Sequence, residues 1–214
     1  MKILSLLENF NQILGMVIAL LYLYQVVYLA VGLLTRGKER RSSRQAALHR
    51  YAVLISARNE EEVIGELIDS LKAQDYPAEL LDIYVVADNC TDHTARMAEE
   101  HGATVYRRFN RLEVGKGYAL DYLLKQIAAD GNAERYDGYF IFDADNIVDS
   151  HFVSEMNRTF DTGKYVAVTG YRNSKNFGQN WVSAANSIWF LREARFVNSA
   201  RDALGLTCHV SGTG

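Results

Sequence analysis

Residues 138–146 read GYFIFDADN. Gly138–Phe142 is a short apolar run of strand formers, and it stops on two aspartates, Asp143 and Asp145. The same grammar recurs upstream. Tyr51–Ala57 (YAVLISA) stops on Arg58-Asn59-Glu60, and Asp82–Ala87 (DIYVVA) stops on Asp88-Asn89. Thr104–Arg107 reads as a further short strand, followed by the helix start Gly115-Lys116-Gly117. Between the strands, apolar residues return at helical spacing: Val63, Ile64, Leu67, Ile68 and Leu71, then Ala119, Leu120, Leu123, Leu124 and Ile127. Asn59 with Glu62 three residues on reads as a capping box. Pro77 marks a loop, and Gly102 reads as the stop of a helix that runs to Glu100. A helix near Ser150–Phe160 and a strand near Tyr165–Thr169 follow. This alternation predicts an α/β fold, an open, largely parallel sheet with helices on both faces.

The 214 residues suit one domain with an appendage. Apolar residues make up 49% and charged residues 23%, which excludes disorder. Two cysteines, Cys90 and Cys208, are too few for a disulfide scaffold or a zinc cage. Charge is unevenly laid out. Residues 36–50 carry six Lys/Arg against one Glu, net +5, and residues 51–214 carry 16 against 24, net −8. So acidic a body does not suit a nucleic-acid binder.

The appendage is at the N-terminus. Ile13–Leu34 is a run of 22 residues whose one strongly polar member is Gln25. As a helix it is about 33 Å long, enough for a hydrocarbon core of roughly 30 Å. Arg36, Lys38, Arg40, Arg41 and Arg44 follow at once. The positive-inside rule then puts the N-terminus outside and the rest in the cytoplasm. The expected domains are a transmembrane anchor at 1–35, a basic juxtamembrane linker at 36–50 and the α/β domain at 51–214. Trp181–Ala203 interleaves aromatic residues with arginines. It reads either as an amphipathic helix covering the sheet or as an interfacial helix at the membrane.

In open α/β sheets, ligands bind beyond the carboxyl ends of the strands. Four polar clusters fall there: Arg58-Asn59-Glu60, Asp88-Asn89, Lys116 with Gly115 and Gly117, and Asp143 with Asp145. Side chains two apart on an extended chain point the same way, and two such carboxylates repel unless a cation joins them. A hard divalent ion, Mg²⁺ or Mn²⁺, accepts that oxygen set. Asp-Ala-Asp-Asn is also good turn sequence. Lys116 at a helix start suits an anion, and equally an exposed surface. Asp88 reads as an acceptor for a ligand amide N–H, such as a pyrimidine edge, or as a turn residue. Glu60 reads as a ligand contact or as a first-turn acid.

Taken in order, LISARNEEEVI, VVADNCTDHTA, VGKGYAL, FDADN and VSGTG resemble the family 2 glycosyltransferases, the membrane-bound GT-A enzymes that include cellulose, hyaluronan and poly-N-acetylglucosamine synthases. The likeness covers essentially all of 51–214. It implies that Ala57, Arg58, Glu60 and Asp88 hold the nucleobase of a nucleotide sugar, usually uracil. It places Lys116 and Gly117 near the nucleotide and its phosphates, Asp143 at ribose and metal, and Asp145 on Mn²⁺ or Mg²⁺. Ser211, Gly212 and Thr213 would border the acceptor, a glycan or lipid-linked molecule. The family's catalytic aspartate and its Q-x-x-R-W motif would lie beyond Gly214. The sequence is therefore expected to be the N-terminal part of such an enzyme, one that binds donor weakly with little or no turnover by itself. Two other readings stand beside this one. The first is a nucleotide-sugar-binding module without turnover. The second is a phosphotransferase or phosphatase with Asp143 as nucleophile, although that chemistry puts its D-x-D after the first strand of the sheet rather than about the fourth.

Overall fold

The run Tyr51–Ala57 forms strand β1 and is buried along almost its whole length. It lies inside a four-stranded, all-parallel sheet of order β3-β2-β1-β4, with β2 at Leu81–Asp88, β3 at Thr104–Arg108 and β4 at Gly138–Asp143. This is a computed structural model, and it describes residues 2–35, 46–175 and 177–210. The expected acceptor-side residues Ser211, Gly212 and Thr213, and most of the basic segment, lie outside the described residues.

Alternation on β1 and β2 sends side chains into two cores. On one face Val53, Ile55 and Val85 pack against Ile64, Leu67, Ile68 and Leu71 of helix α2 (Ile64–Lys72) and Ala98 of α3 (Thr94–Glu100). On the other, Leu54, Tyr84 and Val86 pack against Ala119, Leu123 and Ile127 of α4 (Lys116–Ala129). Each fully buried Leu, Ile or Val in these layers contributes about 1.5–3 kcal/mol. Helix α5 (Phe152–Phe160) follows β4. The chain steps outward from β1 to β2 to β3, then returns to lay β4 on the other side of β1. The direction of winding therefore reverses between β1 and β4. In open α/β sheets, that reversal opens a crevice at the carboxyl ends.

The chain divides into two compact units. One holds the sheet, residues 44–169 with 210–214. The other joins the N-terminal stretch to residues 170–209. Its first helix, α1, runs Lys2–Leu34, longer than the 22 residues expected. Within it Leu4–Leu34 is long and apolar enough to cross a membrane. Helix α6 (Trp181–Arg192), a π-helical turn at Glu193–Asn198 and helix α7 (Ser199–Ala203) follow one another without a break. This stretch belongs to the unit of α1 rather than to that of the sheet, because Arg192 and Phe196 find partners on α1: Arg192 Nη2 donates to Gln25 Oε1 at 2.6 Å.

Three local expectations change. The capping box at Asn59 does not form. Helix α2 starts only at Ile64, and Asn59 takes a left-handed φ of 56°. Its Oδ1 accepts from the Thr91 amide at 2.8 Å, tying the loop after β1 to the loop after β2. Tyr165–Thr169 joins no ladder; Val166 is fully exposed, so an extended run there would bury no apolar face. After Asp143 the backbone turns, with the Asn146 amide donating to the Asp143 carbonyl at 3.1 Å, so Asp143 and Asp145 are not neighbours on one face of an extended strand.

Candidate functional site

Strand register sets the carboxyl edge. Ala57 lies beside Ala87, Ser56 beside Asp143, and Asp88 beside Arg108. The last residues of all four strands therefore form one row, with the reversal of winding between β1 and β4.

On the β2–β3 side, Asp88 is sealed from water. Arg108 Nη1 donates to its Oδ1 at 2.7 Å, and both side chains are 5% exposed. Arg108 also reaches down the following loop, where its Nη2 donates to the Glu113 carbonyl at 2.8 Å. Asn89, with φ of 52°, donates to Asp88 Oδ1 and to the Asn110 carbonyl, and accepts from the Asn110 amide. Asn110 in turn accepts from the amides of Leu112 and Glu113. The two loops are thus one hydrogen-bonded body. Sequence patterning ends β3 at Arg107 and so misses Arg108. The usable signal is Asp88 itself, since a carboxylate at the end of an apolar central strand needs a cation.

On the β1–β4 side the charges meet. Lys116 Nζ lies 2.5 Å from Asp143 Oδ1, across from helix α4 to β4. Gly115 starts α4 at φ of 130°, where a side chain would be strained, and the first turn keeps open space at Gly117. The helix end beside Lys116 therefore offers amide N–H groups to an anion. Asp145 is exposed, with Asn146 Nδ2 donating to it at 3.2 Å. Glu60 completes the group. Its own amide donates to Thr94 Oγ1 at 2.8 Å. Burial, and then the carboxylates of Asp145, Asp92 and Asp143, push its carboxyl above the ordinary range. Ala57 is buried, its carbonyl accepting from Cys90 Sγ at 3.5 Å, while Arg58 is exposed. Burial pushes the Cys90 thiol up, which keeps it protonated and poorly nucleophilic.

Thus Glu60, Lys116, Asp143 and Asp145 gather at the crevice, and Asp88 stands one strand further along, locked to Arg108. Among the described residues, no group of three or more His, Cys, Asp or Glu would cage a metal alone. The fit to a divalent ion is of another kind. The donor set is carboxylate oxygen, with Asp143 and Asp145 close enough to Glu60 to add to the effect of burial on its carboxyl. Such a site suits an ion that also takes oxygen ligands from its substrate.

An open parallel sheet with an anion-accepting helix end and carboxylates at its winding reversal defines an α/β protein whose crevice is built for a charged ligand. A family profile described as "Glycosyltransferase like family 2" matches residues 49–214, and the chain belongs to that family. The sheet is accordingly a GT-A sheet, and the phosphotransferase reading of Asp143 is set aside. Among curated relatives, the beta-monoglucosyldiacylglycerol synthase of Nostoc sp. (strain PCC 7120) is 29% identical over 181 residues, covering 79% of this chain and 36% of the relative. The 4,4'-diaponeurosporenoate glycosyltransferase of Staphylococcus aureus is 47% identical over 53 residues, 25% of this chain and 13% of that one. Among solved structures, the mannosyltransferase PcManGT of Pyrobaculum calidifontis, in complex with GDP-Man and Mn²⁺, is 18% identical. It covers 88% of this chain and 57% of that chain, with a TM-score of 0.49. The chain thus spans little more than a third of the length of the first of these relatives.

Proposed function

We propose that this chain carries the donor-binding half of a membrane-anchored, inverting glycosyltransferase that uses a UDP-sugar and Mn²⁺ or Mg²⁺. The observation that carries this reading is the meeting of Lys116 with Asp143 beside Glu60 and Asp145, at the reversal between β1 and β4. Lys116 and the first turn of α4 hold the diphosphate. Arg58 and the backbone at Ala57 and Asp88, the Asp88 side chain pinned by Arg108, line the base, and Asp143 reaches the ribose. Asp143 and Asp145 hold the divalent ion, which when bound acts as a Lewis acid on the departing nucleotide diphosphate. In inverting transfer, a general base takes the proton of the attacking acceptor hydroxyl; no described residue is assigned that role. The acceptor is a glycan or a lipid-linked molecule, and the name of the Nostoc relative, a glucosyldiacylglycerol synthase, favours a lipid. Helix α1 is the anchor and the sheet unit faces the cytoplasm. The length and apolarity of Leu4–Leu34 and the basic run after it support this placement. Residues 211–213 border the acceptor.

Calorimetric titration of UDP into the detergent-solubilised chain, with and without Mn²⁺, tests the donor site. UDP is expected to bind with metal and to lose most of its affinity in Asp145→Ala. Binding indifferent to both Mn²⁺ and this substitution would overturn the reading.

A further inference from the structure

The loop that carries Asp145 is fastened to helix α2. Residues 144–151 leave β4 as neither strand nor helix, so their backbone groups must find partners elsewhere. Asp145 is exposed, but the loop is anchored on both sides of it. Ala144 and Val148 are buried, and both join the core layer that Leu67, Ile68 and Leu71 of α2 form. Only Asp145, Asn146 and Ile147 lie between those two anchors.

Hydrogen bonds from the end of α2 hold the same loop. The Val148 amide donates to Ser70 Oγ at 3.1 Å, and that hydroxyl donates to the Leu67 carbonyl at 2.7 Å. Gln74 comes just after α2 and is buried. Its Nε2 donates to the Asp149 carbonyl at 2.7 Å and to the Ser70 carbonyl at 3.0 Å. Its Oε1 accepts from the Val153 amide, in the first turn of α5, at 3.0 Å. The Asp75 amide donates to the Ser150 carbonyl at 2.9 Å. An apolar side chain at position 74 would fill the space but offer neither donor nor acceptor. The glutamine is therefore there for the loop and the helix start that follows it.

This fastening bears on the two carboxylates unequally. Asp143 is placed by its strand, in register with Ser56 of β1. Asp145 is placed by the loop, so the spacing between the two carboxylates depends on how firmly the loop is held. Mg²⁺ demands a near-octahedral shell at about 2.0–2.1 Å, whereas Ca²⁺ accepts a larger, flexible shell at about 2.3–2.6 Å. Carboxylates on a fixed backbone can favour the smaller ion, and carboxylates on a yielding one adapt to the larger. We infer that Ser70 and Gln74 are positioning residues that set the ion selectivity of the Asp143–Asp145 site, for Mg²⁺ and Mn²⁺ against Ca²⁺. They act through the loop backbone. This rests on the reading of Asp143 and Asp145 as ligands of a divalent ion.

UDP is titrated calorimetrically into the detergent-solubilised full chain with saturating Mn²⁺, Mg²⁺ or Ca²⁺. The readout is the ratio of UDP affinities between ions. An unfolded fraction lowers the stoichiometry of every titration alike and leaves that ratio unmoved. The unaltered chain is expected to bind UDP severalfold more tightly with Mn²⁺ or Mg²⁺ than with Ca²⁺. Ser70→Ala should narrow that difference severalfold, and Gln74→Leu should narrow it further. Ser70→Thr keeps the hydroxyl and should keep the original ratio. Should Gln74→Leu fail to fold, Ser70→Ala and Ser70→Thr carry the test. Affinities that fall together for all three ions at a constant ratio would make the two residues merely structural and overturn the inference. A ratio unchanged in Ser70→Ala with affinities also unchanged overturns it equally. If the unaltered chain binds UDP the same with any ion or with none, the metal reading fails and this inference with it. If it needs an ion but treats Mn²⁺ and Ca²⁺ alike, the metal reading stands and this inference alone fails.

Discussion

Arg108 and Asp88 face each other at 2.7 Å with both side chains nearly closed to water. Removing one partner strands the other charge, at a cost of about 3–5 kcal/mol, whereas replacing both with apolar residues of similar volume is often neutral. Arg108→Met is therefore expected to lower the protection of the β2 and β3 amides by that amount in native-state hydrogen exchange. Arg108→Met with Asp88→Leu should recover most of the loss. Lys116 carries a different prediction. In the ligand-free protein its ammonium already serves Asp143, and a divalent ion must compete for the same carboxylate. Lys116→Met should strengthen Mn²⁺ binding severalfold without nucleotide and weaken UDP binding, both read by calorimetry. Unchanged Mn²⁺ affinity would show that the Lys116 contact does not oppose the metal. Most of these residue identities are legible in the sequence, because strand ends next to polar residues are a linear signal. Arg108 is not, since its partner is 20 residues away and reached through a strand pairing that composition does not encode.

At the scale of elements, the four strands match the expected runs to within a residue, because each is an apolar run bounded by polar or turn residues. The connections are less legible. Asn59 followed by Glu62 is a helix-start pattern, yet the loop uses Asn59 as a left-handed corner whose side chain caps the neighbouring Thr91 amide. A single local pattern here serves two geometries, and a contact across 32 residues decides between them. The stretch from α6 to α7 is legible as a helix but not in its partner, which it meets through contacts as far apart in sequence as Arg192 and Gln25, 167 residues. Gly32 is where the backbone of α1 faces that of Phe196. Gly32→Leu would force its side chain against the Phe196 backbone, which cannot move aside as a side-chain tip would. Overpacking of this kind typically costs about 1–3 kcal/mol. The expected result is a lower thermal midpoint for loss of the α6–α7 signal in detergent, with the hydrogen-exchange protection of β1 and β2 unchanged.

On the scale of the whole molecule, the two units hold different chemistry. The sheet unit gathers the acidic residues and the crevice at the strand ends, and the other unit gathers the apolar helix and both tryptophans. The opposite end of the sheet from the crevice is also fastened. Asn157 accepts from Tyr51 at 2.9 Å and donates to the Ala47 carbonyl at 2.8 Å, and His49 Nε2 lies 3.1 Å from Asp161. The chain entering the sheet is thereby tied to α5, which follows the last strand. That closure spans long stretches of sequence; Arg50 alone bonds Asp137 across 87 residues. The return of β4 to the flank of β1 has a kinetic meaning. Pairing β1, β2 and β3 closes short loops, so the Asp88–Arg108 clamp is expected to assemble early and β4 last, because its pairing with β1 is the strand pairing most distant in sequence. A chain caught before that step would have Asp88 and Arg108 in place without Asp143 and Asp145 beside them. A nucleotide bound with its ion as proposed would recognise only the finished sheet. By mass action it draws refolding to completion, and the appearance of its binding marks the moment the last strand docks.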